Sequence, residues 1–585
     1  MWLHRVSRPA SSIVSRPPRI LRASWPSSSC RSYASNNKKA PKGPPPPPQS
    51  NGQPSSKWIR NSVGLLGTAA ATFLAYTYAT STKAPVEKKP ESKGQGLHKF
   101  ENSLSPMYAQ RKKSLECPGV YTWGANVYRV ADPESNESVV KTPRRFSHFD
   151  DQVLRDLKIG EKSGAAITEK GDLVQWGKGF SESSFKPTKT LTGKNLTSLC
   201  ISRDRIIALA SGGKVYSLPI AKADQESGRK SREGSWVPFW SGTASISYRV
   251  LQPSLGVTEK VTAISGGLDH VLLLTNSGRV FSAAASTEQF PTFGQLGIPG
   301  LTWATRPKGP VDTCHEISTL KGSKITQIAA GDYHSLALSK DGRVFAFGDN
   351  SFGQLGIEFG LGSQFVDAPT ALPLNKPYRG NIWLPKATGI AAGGANTFFT
   401  VDAQRVLGQG EDPTKVRDAG RVTADTWACG RGIWGTLGNG KWTHLQDAPT
   451  KVKALSGLFE YDERKKSVSP IRLREMSVGA THASAVMDNK PHLESTNTPS
   501  DKTEEWGYDM LLWGGNEHFQ LGTGKRSNMS KPGYINASSN AEGNALQEAR
   551  LQIMPGHRGK VGNRTVDMEQ KVECGRYVSA IYAAK

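Results

Sequence analysis

One clause recurs along this chain and restricts what it can fold into. In its fullest form it reads IAAGDYHSLALSKDGRVFAFG, Ile328 to Gly348, with close copies in ISGGLDHVLLLTNSGRVFSAA from Ile264 and MSVGATHASAVMDN from Met476. Each copy has an apolar strand ending in glycine, a His three residues later and a second apolar strand; the two fuller ones add a tight turn and a third strand. Weaker copies start at Leu157, Leu199, Ile390 and Val572, which brings the occurrences to seven. A second half-motif follows some of them: FGQLG at Phe293 and Phe352, WGTLG at Trp434 and FQLG at Phe519.

A small antiparallel sheet with two apolar faces cannot bury both alone. Neighbours must stack on it, and radial stacking around an axis closes the set while leaving only short edges. The chain ends fit such a ring. The last copy, Val572 to Lys585, stops before its outgoing strand, and GVYTWGAN, Gly119 to Asn126, is an outgoing strand with no beginning. These two segments are expected to pair and complete one blade. Gly267, Gly331 and Gly479 supply turns and close approach between sheets. His270, His334 and His482 are expected to be packing residues whose rings hydrogen-bond buried backbone, because in separate blades they cannot share a metal.

The units GDYHSLALSKDGRVFAFGDNSFGQLG and GATHASAV…LLWGGNEHFQLGTG resemble repeats of the regulator of chromosome condensation family. That resemblance implies an all-β, seven-bladed β-propeller of four-stranded antiparallel blades over residues 118–585. With its N-terminal arm, the chain is similar to the fungal mitochondrial inner-membrane members of that family, which are implicated in assembly of respiratory complexes, notably cytochrome bc1.

The arm has a composition of its own. Of the formal net charge of +25, residues 1–115 hold +16, leaving +9 for the remaining 470 residues. No acidic residue precedes Glu87, and arginines punctuate a Ser-rich start, as in a mitochondrial transit peptide. Residues 1–33 are read as that peptide, with cleavage after Tyr33, and 34–58 as a linker stiffened by five consecutive prolines. The charge-free stretch Asn61 to Thr82 would reach about 33 Å as a helix, enough for one transmembrane helix in 59–82. Residues 83–117 then form a charged tether, the arm as a whole being disordered apart from the span. The flanking charges do not decide orientation; the matrix side is favoured over the intermembrane space.

The repeats carry no catalytic signature. GRGIWG, Gly430 to Gly435, satisfies a dinucleotide-loop pattern on paper but stands in register with GDNSFG, Gly348 to Gly353, and leads into no helix. No phosphate-binding loop, zinc-protease pair or nucleophile elbow is present, and the six cysteines show no ligand spacing. Neither an enzyme activity nor a cofactor is expected.

Binding is expected in the insertions: 221–250, 358–385, a stretch near 460–469, and 525–570. In the first, Trp236, Phe239 and Trp240 stand beside Arg229, Lys230 and Arg232, an aromatic anchor with a basic rim. The alternative is that these aromatics fold back and cover a propeller edge. The functional reading is a membrane-tethered scaffold for respiratory-complex assembly. A guanine-nucleotide exchange factor for a mitochondrial GTPase is the alternative from another class, since the founding family member acts on the GTPase Ran. Ribosome assembly is a third, which the modest charge of the propeller disfavours together with nucleic-acid binding.

Overall fold

The computed structural model describes residues 117–233, 242–358, 364–378, 382–416, 418–462, 466–489, 507–535 and 550–585. The transit peptide, linker, span and nearly all of the tether lie outside the described residues, as do Trp236, Phe239 and Trp240. Among the described residues no helix is long and apolar enough to cross a membrane.

The recurring clause folds as an antiparallel set: Ile325–Ala330, His334–Ser339 and Val344–Asp349, with Phe365–Ala371 outermost. Burial follows position in the set. The second strand, HSLALS, is buried at all six positions because sheets cover both its faces. The fourth carries Asp367 and Pro369 on a half-buried edge, residues that discourage further strand pairing. The turn between the second and third strands closes through Gly342 N to Ser339 O at 2.9 Å, with Gly342 at φ 88°, a conformation that costs glycine nothing.

The same order recurs along the chain. Leu154–Ile159, Gly164–Thr168, Leu173–Trp176 and Thr188–Lys189 form the first set. Leu196–Ile201, Arg205–Ala210, Val215–Pro219 and Arg249–Leu251 form the second, and Val261–Gly266, His270–Thr275, Val280–Ala284 and His315–Glu316 the third. The clause described above is the fourth. Trp383–Gly393, Asn396–Arg405, Val422–Gly432 and Thr443–Lys451 make the fifth, and Leu473–Val478, His482–Met487, Tyr508–Gly514 and Met529–Gly533 the sixth.

The two ends of the domain share the remaining set, as expected. Arg564–Cys574 and Val578–Ala584 are joined by Val120–Ala125 and Val139–Arg145, with Val120 opposite Tyr582 and Gly124 opposite Val578. Lys585 N then bonds Leu154 O at 3.0 Å, which ties this last sheet to the first.

The core lies between sheets rather than within them. Leu336, Leu338 and Val344 of the fourth pack on Phe399, Val401 and Trp427 of the fifth. Phe398, Ala428 and Leu437 of the fifth pack on Ala483 and Trp513 of the sixth. No single sheet could bury these faces, which is why the unit is repeated.

Two expectations need correction. The segment 525–570 is no simple insertion: Met529–Gly533 is the fourth strand of the sixth sheet, and Arg564–Cys574 begins the last sheet eight residues before Val572. The segments 221–250 and 358–385 likewise contain fourth strands, Arg249–Leu251 and Phe365–Ala371. Outer strands have one exposed edge and mix Arg, Asp, Lys or Pro into short runs, RVL, FVDAPTA and MSKPG, so they carry no regular apolar alternation to read.

Candidate functional site

The repeat histidines sit at the joints between sheets. His270 Nε2 meets Ser335 Oγ at 2.8 Å, His334 Nε2 meets Thr397 Oγ1 at 2.8 Å, and His482 Nε2 meets Ser579 Oγ at 2.7 Å. Each hydroxyl belongs to the following sheet, one residue past that sheet's own His position. At Nε2 the partner is thus a neighbour's hydroxyl, where backbone was expected. Ser335 and Ser579 pass their own protons to Gln295 O and Gln520 O, at 2.8 and 2.7 Å, so His270 and His482 must donate through a protonated Nε2. Burial pulls all three histidines down to about 3, which keeps the rings neutral. Glycine is required beside them, since a Cβ on Gly331 would stand 2.1 Å from the His334 ring. Gly267 meets the His270 ring in the same way, at 2.5 Å, while a Cβ on Gly479 would meet Gly575 O at 2.1 Å.

The half-motifs complete the same joints. Trp123 Nε1 donates to Gln520 O at 2.8 Å and Trp513 Nε1 to Thr436 O at 2.6 Å, so the aromatic of one sheet is held by the loop of the preceding one.

The first strands surround a central cavity of about 800 Å³ lined by all the sheets. At one end stand the residues between the clause glycine and the His position. They include Glu161, Arg203, Asp269, Asp332, Tyr333 and Arg576, and from the fifth and sixth sheets the neutral Ala395, Ala480 and Thr481. Arg576 of the last sheet reaches Asp332 of the fourth, Nη2 to Oδ2 at 3.1 Å and Nη1 to Oδ1 at 3.3 Å, with Nε 3.6 Å from Glu161 of the first. Arg203 pairs with Asp269 at 2.8 Å and donates to the Tyr333 hydroxyl at 3.1 Å, linking the second, third and fourth sheets. The hydrogen bond to Asp269 raises the pKa of Arg203 above its ordinary value. These two clusters strap the mouth.

Inside the cavity the charges gather where the last sheet meets its neighbours. Lys158 bonds Glu573 at 2.7 Å and stands 3.9 Å from Asp156. Burial raises both carboxylates above their usual range; it also opposes the charge on Lys158, whose two acidic neighbours nevertheless hold its pKa high. Glu475 is pushed up to about 7 by burial. The first strands of the second to fifth sheets line the cavity mainly with Ser, Gly and apolar residues, among them Ile201, Ser265, Ala329 and Ile390. None of these residues forms an acid–base pair facing a free nucleophile, and among the described residues no cluster of His, Cys, Asp and Glu could hold a metal. The five described cysteines are free thiols.

The connections between third and fourth strands all leave the mouth side of the sheets, because every first and third strand ends there. The segment bearing Arg229, Lys230 and Arg232 is one of them. Arg229 and Lys230 are exposed, beside a short helix, Lys222–Ser227, whose buried Gln225 bonds Pro219 O at 2.7 Å. Arg232 begins a two-residue ladder with Gly242–Thr243. Exposed apolar side chains also crowd this face: Phe293, Trp303, Ile433, Trp442 and Leu445 are 41–57% exposed. Sequence reading missed the mouth straps and this second group. The signal was present as the letters that vary between the clause glycine and the His, which face the cavity mouth while the constant letters pack.

Comparison with known proteins agrees with the resemblance read from the sequence. Residues 325–354 and 341–400 match two models described as the regulator of chromosome condensation (RCC1) repeat, and the chain carries these repeats. It is 27% identical over 438 residues to protein FMP25, mitochondrial, of Saccharomyces cerevisiae, a match covering 71% of this chain and 64% of that protein's length. It is 25% identical over 366 residues to RCC1 domain-containing protein RUG3, mitochondrial, of Arabidopsis thaliana, covering 61% and 69%. The structure of human WBSCR16 superposes with a TM-score of 0.51 at 19% identity, covering 80% of this chain and 99% of that one. Yeast RCC1 (Prp20), solved bound to Kap60, gives 0.50 at 17% identity, covering 86% and 97%. The fold is thus an all-β, propeller-like RCC1 fold of four-stranded antiparallel sheets.

Proposed function

We propose that this RCC1-repeat chain is a non-catalytic mitochondrial scaffold. Its four-stranded sets act as seven blades of a closed propeller, and the mouth face holds protein partners during assembly or maintenance of a respiratory-chain complex, with cytochrome bc1 the leading candidate. The observation that carries the reading is the mouth face itself. Its central charges are bound to one another across the cavity, while large apolar side chains stand exposed around them on a rigid ring, an arrangement suited to docking a protein rather than turning over a small molecule. The Arg-rich, acid-poor start and the mitochondrial names of the two relatives support the location. A single span in residues 59–82 would tether the domain to the inner membrane, with the matrix side favoured.

The test is affinity purification from digitonin-solubilised mitochondria, with a tag linked after the exposed Lys585, alongside native gels of respiratory complexes from cells lacking the chain. Co-purified bc1 subunits and a fall in that complex are expected. Retention of a nucleotide-free GTPase with respiratory complexes intact would replace this reading with an exchange factor, and retention of ribosomal assembly intermediates would replace it with ribosome assembly.

A further inference from the structure

The mouth face is not uniform, and its rim on the fifth, sixth and last sheets has a continuous chemistry. Arg431 lies between two rings, 4.7 Å from the centres of both Phe352 and Trp434. The same connection carries Trp442, whose ring packs on the Gly435 turn, and Gly440, which bonds Ser530 O at 2.8 Å and lies against the Lys531 stem. From there the loop of the sixth sheet passes Lys525 and Arg526 to Gly524, which bonds Lys141 O at 3.2 Å; Lys141 in turn sits 5.8 Å from the Phe519 ring. Between Arg431 and Lys141 the arc holds six cations, Lys141, Arg431, Lys441, Lys525, Arg526 and Lys531, against two carboxylates, Asp447 and Glu517; it ends at Lys141, where the last sheet's own connection turns acidic with Glu134 and Glu137 exposed. Lys441, Lys525, Arg526 and Lys531 are exposed and form no ion pair among the described residues. At its centre one hairpin presents Ile433, Trp442 and Leu445, 44, 55 and 42% exposed, with Gly432 paired to Thr443 just beneath.

We propose that this arc is the docking surface for an acidic segment of a partner protein, whose carboxylates meet Lys441, Lys525, Arg526 and Lys531 while an apolar side chain seats on Ile433, Trp442 and Leu445. This deepens the scaffold reading and rests on it. Charge complementarity selects an acidic occupant. The rings favour protein over nucleic acid: single-strand binding stacks successive bases on several open aromatic faces, whereas Phe352 and Trp434 are capped by Arg431 and Phe519 has Lys141 over it, which leaves Trp442 as the single open ring of the arc. Unpaired lysines around an exposed tryptophan and two aliphatics instead match the polar rim and apolar centre of a protein interface.

The experiment uses the full chain in detergent and three fluorescent probes at near-physiological salt. These are a peptide in which glutamate pairs alternate with leucine, its counterpart with lysine for glutamate, and single-stranded polyuridine RNA. The glutamate–leucine peptide is expected to bind, losing about tenfold in affinity with Lys441→Glu plus Lys531→Glu and a similar factor with Trp442→Ala, while thermal melting stays unchanged. The lysine peptide should not bind. Preference for polyuridine, or equal binding of the glutamate peptide to parent and both variants, overturns the proposal. If the double variant melts early, Lys525→Glu and Arg526→Glu on the neighbouring loop decide in its place. A photo-crosslinker at Trp442 in the full chain in mitochondria gives the second readout. Crosslinked peptides of net negative charge are expected, and neutral or basic ones count against the surface. Failure of the scaffold reading shows separately, as intact respiratory complexes in cells lacking the chain while peptide binding persists.

Discussion

The indole Nε1 of Trp123 donates to the backbone carbonyl of Gln520 at 2.8 Å, joining residues 397 positions apart. Beside it, Ser579 Oγ donates to the same carbonyl at 2.7 Å and takes a hydrogen bond from His482. One oxygen thus gathers the first strand of the domain, its last strand and the loop of the sixth sheet. The joint closed by both ends of the domain is built like the internal joints, where Trp513 meets Thr436 O and Ser335 meets Gln295 O.

Removing the last twelve residues should therefore unfold the whole domain rather than fray one end. The deletion takes out the strand Val578–Ala584, fully buried and paired with Val120–Ala125 on one side and Arg564–Cys574 on the other. Burial of Val578, Ile581 and Tyr582 alone contributes about 1.5–3 kcal/mol each, of the order of the ~5–15 kcal/mol that holds a typical fold together. Loss of the cooperative melting transition is expected; a truncated chain that melts at the parent temperature would rule out closure by this strand.

Acid should weaken the joints before it protonates most carboxylates. His270, His334 and His482 titrate near 3 in the fold and near 6.5 when free, so between those values the unfolded chain binds more protons and stability falls as pH drops. Together the three contribute a slope of up to about three protons. Denaturant midpoints measured from pH 7.5 down to 5 should show it, and His482→Gln should remove about one proton of the slope. A His482→Gln profile parallel to the parent's would contradict the buried, neutral assignment.

Glu475 acts in the opposite sense. Burial pushes it up to about 7 from an ordinary 4.5, with Lys571, Lys158 and Glu573 as its charged neighbours. Its contribution is fully present below 4.5 and lost as pH rises to about 7. Glu475→Gln should match the parent at pH 4 and exceed it in stability at pH 8. Equal midpoints at pH 8 would show that the carboxylate is already solvated.

The Arg576–Asp332 strap should control access to the cavity more than it controls stability. Its side chains are 27 and 23% exposed, so the pair is worth at most about 1 kcal/mol, yet it crosses the mouth. Arg576→Ala should leave melting nearly unchanged while speeding alkylation of Cys200 and Cys574, which line the cavity and are buried in the intact protein. Their unchanged labelling in the variant would show that the strap is not the barrier.

The repeated clause made the architecture legible. Glycine, His and apolar runs at fixed offsets determined the strands, the closure between Gly119–Asn126 and Val572–Lys585, and the packing role of His270, His334 and His482, because each depends on local pattern. Outer strands such as Arg249–Leu251 and Phe365–Ala371 escaped, since an exposed edge imposes no apolar alternation. Even the partner of each His was written in the sequence, in Ser335, Thr397 and Ser579 one residue past the His position, although only the stacking of sheets shows that it serves the preceding His. The mouth and the rim were not readable in this way. Asp332 and Arg576 are 244 residues apart and occupy letters that vary between copies; that they meet depends on where the ring places the fourth and last sheets. The same holds for Trp442, Lys531 and Lys141, which lie on three different sheets and become one surface only when the ring closes. Local pattern fixes what each sheet buries, and the geometry of closure decides which leftover residues face each other.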